Sequence, residues 1–379
     1  MNIVINGFSA RRGGGQTYLI NLLRHLDDEL GMSIFVLAPD SLKLPEHPAV
    51  IRTSVEWPTT NPLMRALWEK YILPRTLEKL RADVLFCPGG LINTRPPGCC
   101  RTVTMFRNMI PFDMAVRKQY KPGLTRVRNW LLERAMLSSM MNADMVIFIS
   151  EFARTVIEER VTRPIARAIT IPHGINDDFR VWHNVPARPS WLPRGDYLLY
   201  VSIFDVYKNQ LEVVRGYQRL KSRRETPEKL ILAGHTGPYA EKVLREIDLL
   251  RLRDEVIVVG NVPYQELPGV YAHAKVTIFA STCENCPNIL LEALGAGRPL
   301  LVSNAQPMPE FGGDAAVYFD PGSPDDFAAQ LMTILDNPEE LDRLGKLAAQ
   351  RAELYNWQTT ASLTWQALRD LARNNNNTK

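Results

Sequence analysis

The chain has 379 residues, of which 45% are hydrophobic and 23% are charged, and its formal net charge is +4. This composition is typical of a globular protein with about two domains, each large enough to bury a core. No apolar run approaches the roughly 18 residues of a membrane span, and the apolar start VINGF lacks the basic region and cleavage site of an export signal. The five cysteines suit a reducing compartment, so we expect a cytoplasmic protein.

Charge is unevenly distributed along the chain. Residues 1–190 hold 25 Lys and Arg against 17 Asp and Glu, a net charge of +8, whereas the remainder holds 20 against 24, a net charge of −4. The basic half predicts an anionic partner, such as a phospholipid surface or a lipid pyrophosphate, rather than a nucleic acid. Solvated helix faces are the alternative explanation.

The first half of the chain alternates strands and helices. Apolar runs predict strands at 1–7, 33–38, 84–87, 101–106, 145–149 and 169–172. After the first strand, Gly13, Gly14 and Gly15 form a turn into an amphipathic helix, where backbone amides can come close to a ligand. This turn is neither a Walker loop nor a G-x-G-x-x-G motif, and a simple tight strand-to-helix turn is the alternative.

A basic segment follows the fourth of these strands. Between 117 and 134 it interleaves cations with apolar side chains, and Pro122 and Gly123 break it in two. The second piece alternates Arg126, Arg128 and Arg134 with Val, Trp and Leu. Such a pattern suits a helix packed on the domain, and it is equally compatible with a helix lying on an anionic membrane.

A Pro-rich stretch at 182–194 has no helical period, as is typical of a segment between domains. A second series of strands then begins, predicted at 197–203, 230–234, 256–259, 276–280, 299–302 and 315–319, with helices at 325–335 and from 357 to about 372. The regular alternation on both sides of 182–194 predicts an α/β protein with two doubly wound parallel-sheet domains that face each other across a cleft.

The stretch from Ala274 to Asn304 carries the clearest chemical signal. It reads as a strand, a polar turn at 281–287, a helix at 288–296 and a returning strand. Glu284 and Glu292 are eight positions apart, which is about 12 Å in one unbroken helix, too far for both to bind one sugar; a loop at 284–287 that folds over the helix start allows both to face one pocket. The free amides at the helix start favour an anion such as phosphate. A nucleotide-sugar needs carboxylates that accept hydrogen bonds from its hydroxyls and, beside them, amides that donate to its phosphates.

These residues carry a resemblance to a known family. The E-x7-E pair, the sequence EALGAGRPLLVSN and Pro309-Glu310 resemble the donor-sugar motif of retaining GT-B glycosyltransferases of family 4, the group 1 glycosyl transferases. The resemblance is dense from Tyr197 to Leu331 and looser in the first half. An ordinary strand–helix–strand crossover with two solvated glutamates is the alternative.

The resemblance implies a division of the chain into parts. It places the acceptor-side Rossmann-like domain at 1–181, the linker at 182–194 and the nucleotide-sugar domain at 195–355. The helix at 356–373 would cross back to the first domain, and 374–379 would form a disordered tail.

The resemblance also implies roles for individual residues. Glu284 would accept hydrogen bonds from the hydroxyls of the donor sugar, and Glu292 would accept them from the ribose diol. Lys208 would stabilise the charge that develops on the β-phosphate, together with the amides near Asn288, Ile289 and Leu290. The glycine loop at Gly14 and Gly15 would face the donor phosphate, and the turn containing Val262 would lie beside the nucleobase.

Two departures from the family pattern concern positive charge. Where the family has a His near the reacting sugar, this chain has Arg107, which cannot act as a base but can stabilise negative charge. Where the family has an Arg near the pyrophosphate, this chain has Ile203. Arg12 or Arg107 could replace that cation. His173 stands where the family often has Asn, and we expect a structural role for it.

The predicted activity is retaining transfer of a hexosyl unit from a nucleotide-diphosphate sugar, with GDP-mannose as first choice. The acceptor would be a saccharide or lipid-linked saccharide of surface-polysaccharide or lipopolysaccharide synthesis. The absence of a D-x-D motif favours a reaction without metal or other cofactor, and Cys283 and Cys286 are predicted to be packing thiols. A nucleotide-sugar epimerase, a phosphorylase or a non-catalytic carbohydrate-binding protein are the alternatives. Product analysis without acceptor, or donor binding, would distinguish them.

Overall fold

A computed structural model of the protein describes residues 1–11, 13–27, 31–55, 61–182 and 184–373. They form two compact units. Unit 1 consists of the described residues within Met1–Phe112, Gly123–Gly174 and Trp357–Lys379, and unit 2 of those within Asp113–Pro122 and Ile175–Asn356. Among the helices of the described ranges, none combines the length and apolarity required to cross a bilayer.

Unit 1 is built on a parallel sheet. Its strands are β1 (Asn2–Asn6), β2 (Ser33–Leu37), β3 (Val50–Arg52), β4 (Val84–Cys87), β5 (Arg101–Phe106), β6 (Met145–Phe148) and β7 (Ala168–Thr170). They are arranged in the order β3-β2-β1-β4-β5-β6-β7. The strand order reverses between β1 and β4, so the carboxyl ends of these two strands form the edge where ligands bind in such sheets.

Helices cover this sheet because their apolar faces must be buried. Those of unit 1 are α1 (Gly14–Arg24), α2 (Pro62–Tyr71), α3 (Leu73–Lys79), α5 (Leu124–Asn142), α6 (Glu151–Glu158) and α14 (Trp357–Arg373). The last helix joins unit 1 although it follows all of unit 2 in sequence. Its Trp365 is fully buried and donates its indole N–H to the carbonyl of Leu22 in α1 at 3.0 Å.

Unit 2 repeats the same architecture. Its strands are β8 (Tyr197–Val201), β9 (Lys229–Ala233), β10 (Val256–Val259), β11 (Val276–Phe279), β12 (Leu300–Ser303) and β13 (Val317–Phe319). All pair in parallel, in the order β10-β9-β8-β11-β12-β13. The strand order therefore reverses between β8 and β11, and the loops after these two strands meet at one edge.

Most helices of unit 2 lie between these strands in sequence, whereas two follow the last strand and one comes from far earlier in the chain. They are α4 (Met114–Gln119), α7 (Gln210–Arg223), α8 (Ala240–Leu249), α9 (Leu267–Ala272), α10 (Asn288–Gly295), α11 (Met308–Gly312), α12 (Pro324–Leu335) and α13 (Pro338–Ala352). Short 3-10 turns at Val206–Lys208 and Tyr264–Glu266 follow β8 and β10.

The structure confirms the predicted α/β class with two doubly wound parallel sheets. The predicted strands are present with bounds shifted by at most two residues, and the elements that were not predicted include β3, α2, α3, α8, α9, α11 and α13. Residues 113–122 and 175–181 fall within the stretch that the sequence assigned to the first domain, whereas they are part of unit 2 here. The predicted tail at 374–379 lies outside the described residues.

Candidate active site

The switch point of unit 2 brings two of the predicted site residues together. Lys208 ends the 3-10 turn after β8, Glu284 lies in the loop after β11, and the Lys208 ammonium forms an ion pair with the Glu284 carboxylate. Both side chains are largely buried, with 6% of Lys208 and 16% of Glu284 exposed. The two residues are 76 positions apart in sequence, so the strand order of the sheet creates their contact.

Aromatic rings and backbone hydrogen bonds fix this pair. The Lys208 ammonium lies 5.0 Å from the ring centroid of Tyr207 and 5.5 Å from that of Phe279, at distances that favour a cation. The buried Tyr200 hydroxyl donates to the Lys208 carbonyl at 2.6 Å. The burial of Tyr200 and Tyr207, and secondarily the charge of Glu284, raise the pKa of both phenols well above the ordinary range, so they are donors at neutral pH.

The two loops are also joined through Asn209. This residue has φ of 54°, in the left-handed region that Asn tolerates better than most residues, and it precedes α7. Its side-chain amide donates to the carbonyl of Ala280 at 2.7 Å, while the backbone amide of Thr282 donates to the carbonyl of Tyr207 at 2.8 Å. These bonds hold the Lys208 turn against the Glu284 loop.

Helix α10 begins four residues after Glu284. Pro287 is its N-cap residue, and Asn288, Ile289 and Leu290 form its first turn, where helix geometry leaves amides free of intrahelical acceptors. The predicted start of this helix is confirmed. Its amide donors and positive dipole end therefore follow directly on the Glu284 loop.

Glu292 lies one turn further along α10 and has a different environment. The Tyr264 hydroxyl donates to its carboxyl at 3.3 Å and accepts a hydrogen bond from the Asn176 amide at 2.9 Å. Burial raises the pKa of Glu292 to about 8. A carboxyl with this pKa binds a proton at neutral pH unless a ligand supplies hydrogen-bond donors. Val262 is partly buried in the loop between β10 and the turn that carries Tyr264.

A glycine turn at the end of β9 lies against the loop after β8. Gly234 has φ of 149°, and a Cβ atom there would lie 1.9 Å from the Ser202 carbonyl oxygen. Only glycine fits this contact without displacing the backbone. Ile203, at the position where the family has an Arg, is exposed, and its carbonyl accepts from the Gln210 amide at 2.8 Å.

In unit 1 the predicted residues meet at the end of β5. Gly14 and Gly15 open α1 behind Gly13, whose φ is 57°. A Cβ atom on Gly15 would lie 3.6 Å from a guanidinium nitrogen of Arg107. The Arg107 guanidinium lies 5.5 Å from the ring centroid of Tyr18 in α1, a cation–π distance. Arg12, the other candidate cation, lies outside the described residues.

His173 has the environment of a structural residue, as predicted. It is buried in unit 1, with ring centroids 5.3 Å from Tyr18 and 5.5 Å from Trp357. Cys283 and Cys286 are buried and form no disulfide with each other, as expected of packing residues. Among the described residues there is no group of three or more His, Cys, Asp and Glu side chains able to hold a metal ion.

The structure adds residues that the sequence did not single out. Tyr264 contacts Glu292, and Asp205 supports the Lys208 turn by accepting from the Val206 amide at 2.7 Å and, through its carbonyl, from the Lys208 amide at 3.0 Å. Asp205 three positions before a Lys-Asn pair is the signal that could have indicated an N-cap.

Comparison with known families agrees with this arrangement. The profile of "Glycosyl transferases group 1" matches residues 188–351, and that of "Glycosyltransferase Family 4" matches residues 12–179. Together they cover most of both units. The protein belongs to the group 1 family of glycosyltransferases and has the GT-B fold.

Individual relatives and structures support the same assignment. The chain is 26% identical over 274 residues to the O-antigen chain mannosyltransferase B of Escherichia coli, covering 70% of this chain and 69% of that one. Two further curated relatives are matched over 55% and 31% of their own length. Among solved structures, sucrose-phosphate synthase from Thermosynechococcus elongatus has a TM-score of 0.75 at 19% identity over 98% of this chain and 99% of that one. Anabaena HepE in complex with UDP-glucose has a TM-score of 0.72 at 15% identity over 97% and 99%.

Proposed function

We propose that the protein transfers a mannosyl unit, with retention of configuration, from a nucleotide-diphosphate sugar to a saccharide or lipid-linked saccharide acceptor. GDP-mannose is the first donor to test, and the acceptor belongs to the synthesis of a surface polysaccharide or lipopolysaccharide. The observation that carries the proposal is the buried Lys208–Glu284 pair ahead of the amino end of α10. The similarity to an O-antigen mannosyltransferase supports the choice of sugar.

The proposed donor site assigns one part of the donor to each group. Glu292 accepts hydrogen bonds from the ribose diol, and Glu284 accepts them from hydroxyls of the sugar. Lys208 and the first-turn amides of α10 bind the β-phosphate. Because Lys208 and Glu284 are already paired and buried, these groups need little rearrangement when charge develops.

The proposed chemical step breaks the bond between the anomeric carbon and the β-phosphate oxygen. The acceptor oxygen attacks that carbon from the face the phosphate leaves, and the departing phosphate takes the acceptor's proton. Arg107 contributes electrostatically in this proposal, since a guanidinium stays protonated and cannot act as the base. The positive charge comes from Lys208, Arg107 and amide dipoles, so no metal ion or cofactor is required, and activity in the presence of EDTA tests that point.

A thermal-shift panel tests the donor. A ligand that binds only the folded state raises the unfolding midpoint by mass action, so UDP, GDP, ADP and dTDP sugars can be ranked directly. We expect the GDP sugars to give the largest increase. Incubation with GDP-mannose and a saccharide acceptor should then yield GDP and an α-linked product. A larger increase with a UDP sugar would replace GDP-mannose as the donor.

Helix α5 supports a further part of the proposal, peripheral association with an anionic membrane on the cytoplasmic side. Leu124, Val127, Trp130 and Leu131 are 90%, 55%, 41% and 54% exposed, and helical spacing places them on the side away from the buried Met136. The Arg134 guanidinium lies 3.8 Å from the Trp130 ring centroid. Exposed apolar side chains interleaved with arginines are the pattern of a helix that lies at a lipid interface.

Vesicle flotation tests this association. The protein should float with anionic vesicles at low salt, and high salt should release it. Replacing Val127 and Leu131 by Gln should abolish flotation and leave transfer to a soluble acceptor unchanged. If the wild-type protein stays in the unbound fraction with anionic lipid at low salt, α5 does not bind membranes.

A further inference from the structure

Residues 113–122, which we call the docking segment, belong to unit 2 although the residues on both sides of them in sequence belong to unit 1. The segment consists of Asp113, helix α4 and the residues up to Pro122. Asp113 caps α4 by accepting from the Val116 amide at 2.9 Å, and the Val116 side chain is 1% exposed. The helix of this segment contacts the turn Val206–Lys208 of unit 2.

The far end of the docking segment contacts the turn that carries Lys208. The Tyr120 hydroxyl lies 3.3 Å and 3.4 Å from the two carboxylate oxygens of Asp205. Burial, together with the nearby Asp205 charge, raises the pKa of Tyr120 above its ordinary range, so the phenol is protonated and donates. Asp205 in turn bonds the backbone amides of Val206 and Lys208. The Tyr120 hydroxyl is therefore connected to the backbone of Lys208, the predicted catalytic lysine, by two hydrogen bonds that meet at Asp205.

The near end of the docking segment contacts the loop that carries Glu284. The Asp113 carboxylate is near the Cys283 thiol, and after burial its charge is the largest cause that raises the pKa of this thiol. Burial and the nearby carboxylates raise the pKa of Cys283 above its ordinary range, so the sulfur keeps its proton and remains a donor. The segment thus lies beside the residue before Glu284 and contacts Asp205, which caps the turn that carries Lys208.

We propose that Tyr120 and Asp113 are positioning residues of the transfer reaction: they fix the loops of Lys208 and Glu284 so that this pair is set for the leaving phosphate. The proposal rests on the proposed function of the pair. Positioning errors of about 1 Å can lower a rate by as much as a hundredfold. Removing the contact that Tyr120 or Asp113 makes should therefore lower kcat more than it weakens substrate binding.

The experiment compares Tyr120→Phe with the matched control Tyr71→Phe, which removes a hydroxyl from an exposed tyrosine of unit 1. Tyr120→Phe should lower kcat about tenfold and leave the donor KM, the GDP Kd and the unfolding midpoint nearly unchanged, within about twofold for the constants. Tyr71→Phe should change none of them. In an Asp205→Ala background the substitution should have almost no further effect on kcat, because the two residues act through one contact.

Hydrogen–deuterium exchange separates this proposal from the proposed function. In the protein alone, Tyr120→Phe should increase exchange in peptides covering 203–209, and Asp113→Ser, which keeps a capping side chain, should increase it in peptides covering 281–286. If wild-type protein transfers no hexose but these increases occur, positioning stands and the donor reaction is wrong. Unchanged exchange with unchanged kcat, or equal losses in kcat, GDP binding and midpoint, would overturn the positioning role.

Discussion

The sheet of unit 2 has the same strand order as the first six strands of unit 1, yet the carboxyl edges of the two sheets differ in how charge is held. In unit 2, Lys208 and Glu284 neutralise each other in a largely buried pair, while Glu292 is paired with a tyrosine hydroxyl. In unit 1, Arg107 lies beside a glycine turn and over an aromatic ring. The comparison teaches that the same fold can hold charge as a buried ion pair in one unit and as a guanidinium beside a glycine turn in the other.

The largest effect that tests this difference should come from Lys208→Ala. Removing one preorganised donor to a developing negative charge lowers kcat by about a hundredfold or more. The substitution also leaves Glu284 buried without its partner, so the free energy of unfolding should fall by about 3 kcal/mol. Steady-state kinetics and urea unfolding measure the two changes.

Lys221→Ala is the matched control for Lys208→Ala. Lys221 pairs with Glu255 at 3.0 Å in the same unit, with about a third of each side chain exposed. An exposed pair contributes on the order of 0.5 kcal/mol, and this one has no role in the proposed reaction. Equal changes in kcat and in the free energy of unfolding for the two variants would mean that the Lys208–Glu284 pair is not a preorganised site.

Arg107→Ala tests whether unit 1 supplies charge to the reaction. We expect kcat to fall by about ten- to a hundredfold and Arg107→His to be milder, because histidine retains a partial charge and hydrogen-bond donors. Arg101→Ala, at the opposite end of β5, removes an ion pair with Asp144 and should affect stability alone. Wild-type kcat in Arg107→Ala would contradict an electrostatic role and turn attention to Arg12.

Substitution of the two glutamates separates binding from turnover within unit 2. Glu292→Gln should weaken GDP binding about tenfold, because a hydrogen bond to a charged acceptor contributes about 1.5–3 kcal/mol. Glu284→Ala should lower kcat and leave GDP affinity nearly intact. Calorimetric titration with GDP distinguishes the variants, and equal losses of affinity would refute the assigned roles.

The pH dependence of GDP binding sharpens the same assignment. With the pKa of Glu292 near 8, the ionised fraction rises from about 10% at pH 7 to about 90% at pH 9, so affinity should rise by nearly tenfold. Stability should change in the opposite direction. The folded-state pKa exceeds the ordinary value of 4.5, so the stabilising proton is lost as pH rises from 4.5 to about 8. Glu292→Gln should remove both trends, and a trend that persists in that variant belongs to another group.

The smallest effect should come from the glycine turn of unit 1. A methyl group at Gly15 would lie 3.3 Å from the Ala10 Cα atom and beside Arg107, which is tight without being a clash. Gly15→Ala should weaken donor binding by about threefold, with a stability change below about 1 kcal/mol. Gly98→Ala, where a Cβ atom would contact nothing within 4 Å, is the control. A donor affinity equal to that of Gly98→Ala would mean that this turn does not approach the ligand.

Much of the fold could be predicted because buried parallel strands are short apolar runs, as β4 and β11 illustrate. Strand β3 was missed because its apolar pair Val50-Ile51 is followed directly by Arg52, and α2 and α3 because a proline near each helix start resembles a chain break. The start of α10 was predictable from Pro287 and the apolar spacing after it. The Lys208–Glu284 and Tyr120–Asp205 contacts join residues 76 and 85 positions apart in sequence. No local sequence pattern predicts a contact between residues so far apart.

The packing of Trp365 against Leu22 has a consequence for how the protein is made. These residues are 343 positions apart, and α14 completes the unit that the first residues of the chain begin. Domains generally fold in the order in which the ribosome releases them. Here the first unit to be started is the last to be finished, since the apolar surface of α1 that Trp365 covers stays exposed until translation reaches α14. Unit 2 can fold earlier, once residues 175–356 join 113–122, so a nascent chain holds an incomplete first unit throughout the synthesis of the second.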